Sequence, residues 1–461
     1  MQITAILLKN YRQFRSLYLP LVDPETNEPL QNVCFIGANA TGKSTLLALI
    51  AKFLETGIPQ PVEKKWDHDN CVIGFKVRVN CDEFYVVGTQ SFEPFIVSAQ
   101  STWVKSASWH DLWEPDVIYE KSGEALTLIS TAAYSNPISF DEIQLKPNQK
   151  DLAIYAPPDG TSLLRKGGLA RDLPATDLNH ALLLVNNLPA FHTVSYEEVE
   201  RFWDFLIYQI TKRERDRNEF LNSPNVQSLS VAQARQQFNE TYPDILEDLA
   251  HEWNLILDRA GLVFDTKNVK VPYQSDKNLE AYIKRKSTGE TIAYNSLSTG
   301  IRNFIFRFGH IYSLYFNRQI DRGFLLIDEP ELSLFPDLLY DIIERYKSII
   351  QNTQFFVATH SPVIAAQFEA CERIVLEFDD HATVQWRRGI SPEGDDPNDL
   401  LVNDFAVRSL YGKKGIEQWE KFLRLRREIA AATDPQTKLT LLDEYAKIGN
   451  AYNFAPDEIP A

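Results

Sequence analysis

The sequence predicts an α/β fold, because short apolar runs typical of buried strands occur in both halves of the chain and the first leads directly into a helix. That first run covers residues 33–36, and a glycine-bounded loop joins it to the helical run 46–50. A second run at 324–327 ends in two carboxylates, and a third at 355–358 precedes a histidine. We expect these runs to lie in one sheet to which both halves of the chain contribute.

The loop after the first run has the composition of a phosphate-binding P-loop. Residues 37–45 read Gly-Ala-Asn-Ala-Thr-Gly-Lys-Ser-Thr, between a strand and a helix start. Glycines let successive backbone N–H groups point inward, and the helix N-terminus adds partial positive charge. Lys43 supplies a charge for the β- and γ-phosphates, and Ser44 a hydroxyl for Mg²⁺. The sequence therefore predicts that the chain binds a nucleoside triphosphate. The residues expected to hold it are Gly37, Asn39, Ala40, Thr41, Gly42, Lys43, Ser44 and Thr45.

The other two runs end in side chains that suit hydrolysis. Asp328 is expected to bind Mg²⁺ through water, and Glu329 to polarise the attacking water. An acidic strand end exposed to solvent is the alternative. His360 follows the third run, where an imidazole can reach a γ-phosphate, although a single histidine is more often a structural residue.

A second anion-binding turn is predicted before the long amphipathic run 303–315. Ser298 and Gly300 form a Ser-x-Gly turn at a helix N-terminus, where backbone N–H groups, a hydroxyl and the helix dipole favour an anion. An ordinary serine N-cap would have the same sequence.

The order of these motifs resembles that in the nucleotide-binding heads of ABC-type ATPases. The long insertion between Lys43 and Ser298, the N-terminal Leu-Lys-Asn-Tyr-Arg-Gln-Phe, and the runs Asp-Glu-Pro-Glu-Leu-Ser-Leu-Phe-Pro and Ala-Thr-His-Ser-Pro are similar to the RecF/SMC-related group. Within it, the chain looks like the stand-alone OLD-like and Septu-type AAA family ATPases of bacterial anti-phage systems. Transporter ATPases are excluded, because their motifs lie much closer together.

The resemblance implies an ATPase that uses ATP and Mg²⁺ and forms a homodimer or a higher oligomer through its ATP sites. Lys43, Ser44, Asp328, Glu329 and His360 would form one half of a site. Ser298 and Gly300 would complete the site of a second subunit, and Arg12 would lie near the phosphates. ATP binding would close the dimer and hydrolysis would release it, which would control an effector.

The sequence departs from the family pattern at three places. Ala40 stands where many relatives have glycine in the P-loop. Phe335 replaces the histidine of the Leu-His-Pro that is common in relatives after the Asp-Glu-Pro strand. The glutamine that senses Mg²⁺ has two candidate positions, Gln90 and the Asp159 loop.

Composition limits the classes of function. The chain has 461 residues and a formal net charge of −16, which argues against a surface built wholly for nucleic acid but leaves a local basic groove possible. Its four cysteines lack the spacing of a metal site, and we expect them to be unpaired, as cysteines are in a reducing cytoplasm. No signal peptide and no run of about 18 apolar residues is present, so we expect a cytoplasmic protein without a membrane span.

Pattern changes along the chain predict four regions. An N-terminal ATPase lobe covers 1–190, a helical insertion 191–285, a C-terminal ATPase lobe with the later motifs 286–390, and a helical extension 391–461. For the last of these, packing on the ATPase head and docking of a partner are equally consistent with the sequence.

The resemblance points to two further functions. OLD-like relatives often carry a Toprim nuclease, but the segment after Gly389 has a helical pattern, so a nuclease effector would be a separate protein. A RecF-like module that binds DNA for repair or maintenance is the alternative to the switch. The basic residues of the insertion alternate with acidic ones, which favours a solvated helix face over a DNA contact. These basic residues are Lys212, Arg213, Arg215 and Arg217.

Overall fold

The computed structural model describes most of the chain. The described residues are 1–63, 71–90, 94–99, 138–146, 150–158, 189–194, 209, 212–266, 283–292, 296–316, 318–407 and 409–454.

The described strands are numbered in chain order. They are β1 (Gln2–Tyr11), β2 (Phe14–Pro20), β3 (Asn32–Gly37), β4 (Val72–Val79), β5 (Asp82–Thr89), β6 (Phe95–Ser98), β7 (Asp151–Ala156), β8 (Phe191–Thr193), β9 (Leu262–Phe264), β10 (Ile283–Arg285), β11 (Arg322–Asp328), β12 (Thr353–Ala358), β13 (Arg373–Phe378) and β14 (Val384–Arg388).

The described helices are numbered in the same way. They are α1 (Lys43–Thr56), α2 (Phe140–Ile143), α3 (Val231–Thr241), α4 (Ile245–Leu257), α5 (Thr299–Tyr315), α6 (Ile342–Ile349), α7 (Pro362–Ala365), α8 (Pro397–Asn403), α9 (Lys413–Ala431) and α10 (Pro435–Tyr452), with 3₁₀ turns at Asp258–Ala260 and Pro336–Leu339.

A seven-stranded sheet forms the centre of the molecule, in the order β14-β13-β3-β12-β11-β7-β8. Its strands pair in parallel except β14, which pairs with β13 in antiparallel fashion. The three apolar runs of the sequence form the neighbouring strands β3, β12 and β11. All six residues of β12 are buried, as expected for a parallel strand covered on both faces. The prediction of an α/β fold is confirmed.

A second, antiparallel sheet covers α1. Its strand order is β2-β1-β4-β5-β6. The apolar residues of α1 lie in one buried cluster with side chains from both sheets, among them Ile6 of β1 and Phe356 of β12. Phe53 of α1 stacks on Phe75 of β4, with ring centroids 4.4 Å apart. The P-loop helix is therefore fixed between two sheets.

Helices α4, α5 and α6 pack in a second cluster on the other face of the central sheet. Trp253 of α4, Phe308 of α5 and Tyr346 of α6 are all buried there. The carboxylate of Asp248 in α4 also lies close enough to the Tyr312 hydroxyl of α5 to raise the pKa of Tyr312. The segment predicted as an insertion thus contributes a helix to the core beneath α5.

The C-terminal helices α9 and α10 bury their apolar residues mainly against each other. Phe422 and Tyr445 stack with ring centroids 4.0 Å apart, and Leu425, Ile448 and Phe454 complete a separate cluster. The helical pattern expected for this region is confirmed. No helix in the described part of the chain is long and apolar enough to cross a membrane.

Candidate functional site

The loop between β3 and α1 has a backbone that requires glycine at both ends. Gly37 has φ +138, and a Cβ there would lie 2.1 Å from the Leu376 carbonyl oxygen. Gly42, the N-cap of α1, has φ +101, and a Cβ there would lie 2.2 Å from Gln13 Nε2. Any side chain at either position would displace β13 or the β1–β2 turn. The predicted P-loop therefore lies between a strand and a helix start, as its chemistry needs.

Ala40 occupies the middle of this loop with φ 65. This left-handed conformation costs an L-residue about 1–2 kcal/mol, and glycine adopts it freely. The backbone therefore favours glycine at position 40, where relatives often carry it.

Lys43 is the first residue of α1, and its ammonium is buried beneath the loop. Nζ donates hydrogen bonds to the carbonyl oxygens of Gly37 at 2.9 Å and Ala38 at 3.0 Å. Burial lowers the pKa of Lys43 to about 8, and the nearby carboxylates of Asp328 and Glu329 oppose this shift. A buried cation with only partial compensation favours an added anion such as a phosphate.

Ser44 and Asp328 lie together at the carboxyl ends of β3 and β11. The exposed Ser44 hydroxyl is close enough to the Asp328 carboxylate to lower the pKa of Asp328. Asp328 is 1% exposed, and burial raises the pKa of Asp328 to about 6. Its Oδ2 is buried without a hydrogen-bond partner in the described part of the chain.

These two oxygen donors fit a Mg²⁺ ion. Mg²⁺ is commonly bound through one or two protein oxygens and completes its shell with waters and substrate phosphates. No described group of three or more His, Cys, Asp or Glu residues is arranged to hold a metal ion. A metal at Ser44 and Asp328 would therefore depend on the nucleotide for further ligands.

Glu329 and His360 lie at the same sheet edge. The Glu329 N–H donates to the Ala358 carbonyl oxygen at 2.9 Å, which fixes the end of β11 against β12. Burial lowers the pKa of His360, Lys43 lowers it further, and Glu329 opposes the shift. His360 is therefore close enough to both residues to sense their charges, and the structure brings Lys43, Ser44, Asp328, Glu329 and His360 into one site.

Glu331 is a further member of this cluster and is not among the residues predicted from the sequence. Its Oε1 accepts hydrogen bonds from the Thr359 hydroxyl at 2.7 Å and from the His360 N–H at 2.8 Å. Burial raises the pKa of Glu331. The Glu331 carboxylate thus joins the loop after β11 to the loop that carries His360. The third acidic residue of Asp-Glu-Pro-Glu is the only sequence signal for it.

Arg307 is the second residue that sequence reasoning missed. It is 4% exposed within α5, yet its guanidinium donates to the carbonyl oxygens of Glu329 at 3.1 Å and Pro157 at 3.0 Å. A lone arginine inside the apolar run Phe-Ile-Phe-Arg-Phe is the signal that could have found it, because a buried charge needs specific partners.

Ser298 and Gly300 lie at the N-terminus of α5. Ser298 is its N-cap, and its side chain accepts a hydrogen bond from the Ile301 N–H at 3.4 Å. A Cβ at Gly300 would lie 1.9 Å from the carbonyl oxygen of Ser333, in the loop after β11. The turn thus has the N-cap geometry and is packed against the loop that begins at Glu329.

Arg12 lies in the turn between β1 and β2, next to the P-loop. Its guanidinium is paired with Glu63, with Arg12 Nη2 2.7 Å from Glu63 Oε1. Its neighbour Gln13 contacts the P-loop at Gly42, and the sequence does not predict this contact. The structure places the turn at the P-loop but engages the Arg12 side chain elsewhere.

Two of the remaining sequence candidates, Gln90 and Phe335, are exposed. Gln90 is exposed at the end of β5, and Asp159 lies outside the described residues. Phe335 is 71% exposed in the loop after β11. Arg213 pairs with Asp244 at 2.7 Å, which agrees with a helix face stabilised within the chain.

Comparisons with known proteins give one family and several solved structures. The AAA ATPase domain family matches residues 1–153 and 177–365. An SMC head bound to the C-terminal winged-helix domain of ScpA is 10% identical, covers 84% of this chain and 98% of its own, and has a TM-score of 0.41. The SMC head domain from Thermotoga maritima is 11% identical, with 85% and 100% coverage and a TM-score of 0.41. An SMC head with an extended coiled coil, bound to the C-terminal domain of ScpA from Pyrococcus furiosus, is 12% identical, with 84% and 96% coverage and a TM-score of 0.38.

Proposed function

The chain belongs to the AAA ATPase domain family, and we propose that it is a switch that dimerises around ATP and controls a separate effector. The observation that carries this proposal is the gathering of Lys43, Ser44, Asp328, Glu329 and His360 at the carboxyl edge of one parallel sheet. Ligand sites of open α/β sheets lie at this edge.

Each residue of the cluster has a proposed part in hydrolysis. The P-loop N–H groups and Lys43 would hold the phosphates, and Glu329 would orient and polarise the water that attacks the γ-phosphorus. His360 would contact the γ-phosphate from the neighbouring strand. Ser44 and Asp328 would hold Mg²⁺, which supplies compensation of the phosphate charge.

The site of one chain would be completed by the Ser298 turn of a second chain. The N-terminus of α5 presents backbone N–H groups and a partial positive charge, which suit a γ-phosphate. Since the γ-phosphate would then touch both chains, ATP binding would close the dimer and hydrolysis would open it. Arg12 would turn toward the phosphates when they arrive, leaving Glu63.

The catalytic part of this proposal is tested by Glu329→Gln. We expect this variant to bind ATP with near wild-type affinity and to lose at least about a hundredfold in turnover, because the amide cannot polarise water. Wild-type turnover in the folded variant would overturn the assignment.

The proposed output is control of a nuclease in anti-phage defence, in the cytoplasm. The described C-terminal elements α8, α9 and α10 are all helices, unlike the alternating strands and helices of a Toprim nuclease. We propose that the nuclease is another protein. This role is tested by plating phage on cells that carry either the wild-type gene or the Lys43→Ala gene, each with its neighbouring genes. Equal plaque numbers on the two strains would contradict it. ATP-dependent DNA binding by the purified chain alone would instead favour the DNA-maintenance function.

A further inference from the structure

Arg307 is a buried charge in the middle of the helix that begins with the Ser298 turn. Its neighbours Phe306 and Phe308 are fully enclosed in the core, and Arg307 itself is 4% exposed. It lies about two and a half turns beyond Ser298 along α5. A guanidinium at such a position must be compensated by specific partners.

Those partners are backbone carbonyl groups at the ends of two strands. Nη1 donates to the carbonyl oxygens of Asp328 at 3.4 Å and Glu329 at 3.1 Å, and Nη2 donates to that of Pro157 at 3.0 Å. The planar fork of the guanidinium can hold several acceptors at fixed angles, which an ammonium cannot do. One side chain thus joins α5 to the ends of β11 and β7.

The backbone that Arg307 holds is in an unfavourable conformation. Glu329 has φ 49, in the left-handed region that a non-glycine residue adopts only when its surroundings impose it. Three contacts hold it here: the hydrogen bonds from Arg307 and from the Leu332 N–H to its carbonyl oxygen, and its own N–H bond to Ala358. Loss of the first contact would let the peptide relax and would move the carboxylate.

The charges around Arg307 also belong to the site. Burial lowers the pKa of Arg307, and Tyr346 and three acidic residues raise it. These acidic residues are Asp328, Glu331 and Glu329. The guanidinium is therefore a fixed positive charge inside the acidic cluster, in addition to Lys43.

Helix α5 contacts the loop after β11 a second time at its N-terminus. Gly300 lies against Ser333, and a Cβ there would be 1.9 Å from the Ser333 carbonyl oxygen. The loop from Asp328 to Ser333 is therefore held to α5 at both ends. A shift of α5 would therefore act directly on the backbone of Glu329.

We propose that Arg307 is a positioning residue that holds Glu329 in its reactive conformation and couples it to the Ser298 turn at the start of α5. This inference rests on the proposed function, because it assigns the Ser298 turn to the ATP of a second chain. Contact between that turn and ATP would place Glu329 through α5 and Arg307. Hydrolysis would thus be promoted only in a closed pair of chains.

The inference is tested with Arg307→Lys and Arg307→Gln in the full-length protein. Both keep a polar donor but cannot hold the three carbonyl groups together. Arg373→Lys is the matched control, since Arg373 is a fully buried arginine that also donates to backbone carbonyls, those of Ala365 and Phe368, without contacting the site. ATP affinity, KM and kcat are measured on protein that passes a cooperative unfolding test.

We expect kcat to fall roughly ten- to a hundredfold in either Arg307 variant, because small misplacement of a catalytic group has effects of this size. KM and ATP affinity should stay within about threefold, because the P-loop is untouched. Arg373→Lys should keep the wild-type kcat. Wild-type kcat in a folded Arg307 variant would overturn the inference, as would an equal fall in kcat in Arg373→Lys.

The coupling is tested by a double-mutant cycle with Ser298→Ala. If Arg307 transmits the position of the Ser298 turn, Arg307→Lys should remove most of the further effect of Ser298→Ala on kcat. Effects that multiply independently would overturn the coupling. Glu329→Gln separates the proposed function from the role of Arg307. If Glu329→Gln retains turnover, the proposed function fails. If Glu329→Gln is inactive and Arg307→Lys is fully active, only the role of Arg307 is rejected.

Discussion

Gly300 and Ser333 are in backbone contact, so that a single methyl group at Gly300 would lie 1.9 Å from the Ser333 carbonyl oxygen. This contact joins the turn that would complete a second chain's site to the loop that follows Glu329. The glycine of Ser-x-Gly is therefore required by packing within the chain, whatever it binds in addition.

We expect Gly300→Ala to move α5 away from the loop after β11 and to destabilise the protein by about 1–3 kcal/mol, as overpacking generally does. ATP turnover should fall more than ATP affinity, because Glu329 is carried by the same loop. Gly412→Ala is the control, since a Cβ there meets nothing within 4 Å. Urea unfolding and turnover are the measurements, and an unchanged Gly300→Ala protein would contradict the packing argument.

The P-loop should be stabilised by Ala40→Gly. Ala40 has φ 65, and glycine removes a strain of about 1–2 kcal/mol there, while its greater freedom in the unfolded chain costs about 0.4–1 kcal/mol. We expect a net gain of about 0.5–1 kcal/mol in the free energy of unfolding. Ala430→Gly, at an exposed position within α9, should instead lose about 0.5–1 kcal/mol. A loss of stability in Ala40→Gly would show that the loop is unstrained.

Asp328 gives the protein a stability that depends on pH. Burial raises its pKa from 3.8 to about 6, so the folded state binds a proton more readily than the unfolded state. The contribution of Asp328 is therefore fully present below pH 4 and is lost as the pH rises through 6. Without Mg²⁺ at pH 7, Asp328→Asn should be more stable than the wild type by on the order of 1–3 kcal/mol.

This advantage of Asp328→Asn should shrink as the pH falls from about 6 to about 4 and vanish below that, since the wild-type carboxyl is then neutral in both states. Urea unfolding at several pH values in the presence of a chelator measures it. An advantage that grows toward low pH would contradict the sign of the shift. Turnover with Mg²⁺ should be lost in the same variant at every pH.

Arg373 anchors the region after β14 to the central sheet. It is fully buried, its Nε lies 2.9 Å from Asp404 Oδ2, and Asp404 also accepts from the Ile390 N–H at 2.8 Å. Arg373→Met leaves the Asp404 carboxylate buried without this cation. We expect a loss of about 3–5 kcal/mol, the range found when one partner of a buried pair is removed. A loss below about 1 kcal/mol in urea unfolding would show that Asp404 is solvated.

The parts of the site that the sequence predicted are those that lie in continuous motifs at strand ends. The glycine-bounded loop follows β3 and the paired acids follow β11. Their positions can be predicted because the end of a strand determines where the next residue lies. The central sheet was predictable for the same reason, since its buried strands are apolar throughout.

Arg307, Glu331 and Gln13 were not predictable in this way. Each acts through a partner far away in the chain, as Arg307 does on Pro157 and Gln13 on Gly42. A single residue has no spacing pattern, so only the tertiary structure shows what it contacts. Helix α4 belongs to the segment predicted as an insertion, and its charged residues give no sign in the sequence that its apolar face packs against α5.

The central claim is that two chains share each ATP site. It is tested most directly by the amount of ATP that stays bound to the Glu329→Gln protein during gel filtration, together with the molar mass of the eluted species. Site sharing predicts about one trapped ATP per chain in a species of twice the chain mass of 52.9 kDa. Adding Ser298→Arg, which leaves the Lys43 loop intact, should abolish the trapped ATP. If the double variant retains as much ATP as Glu329→Gln alone, each chain binds its nucleotide unaided and the account is contradicted.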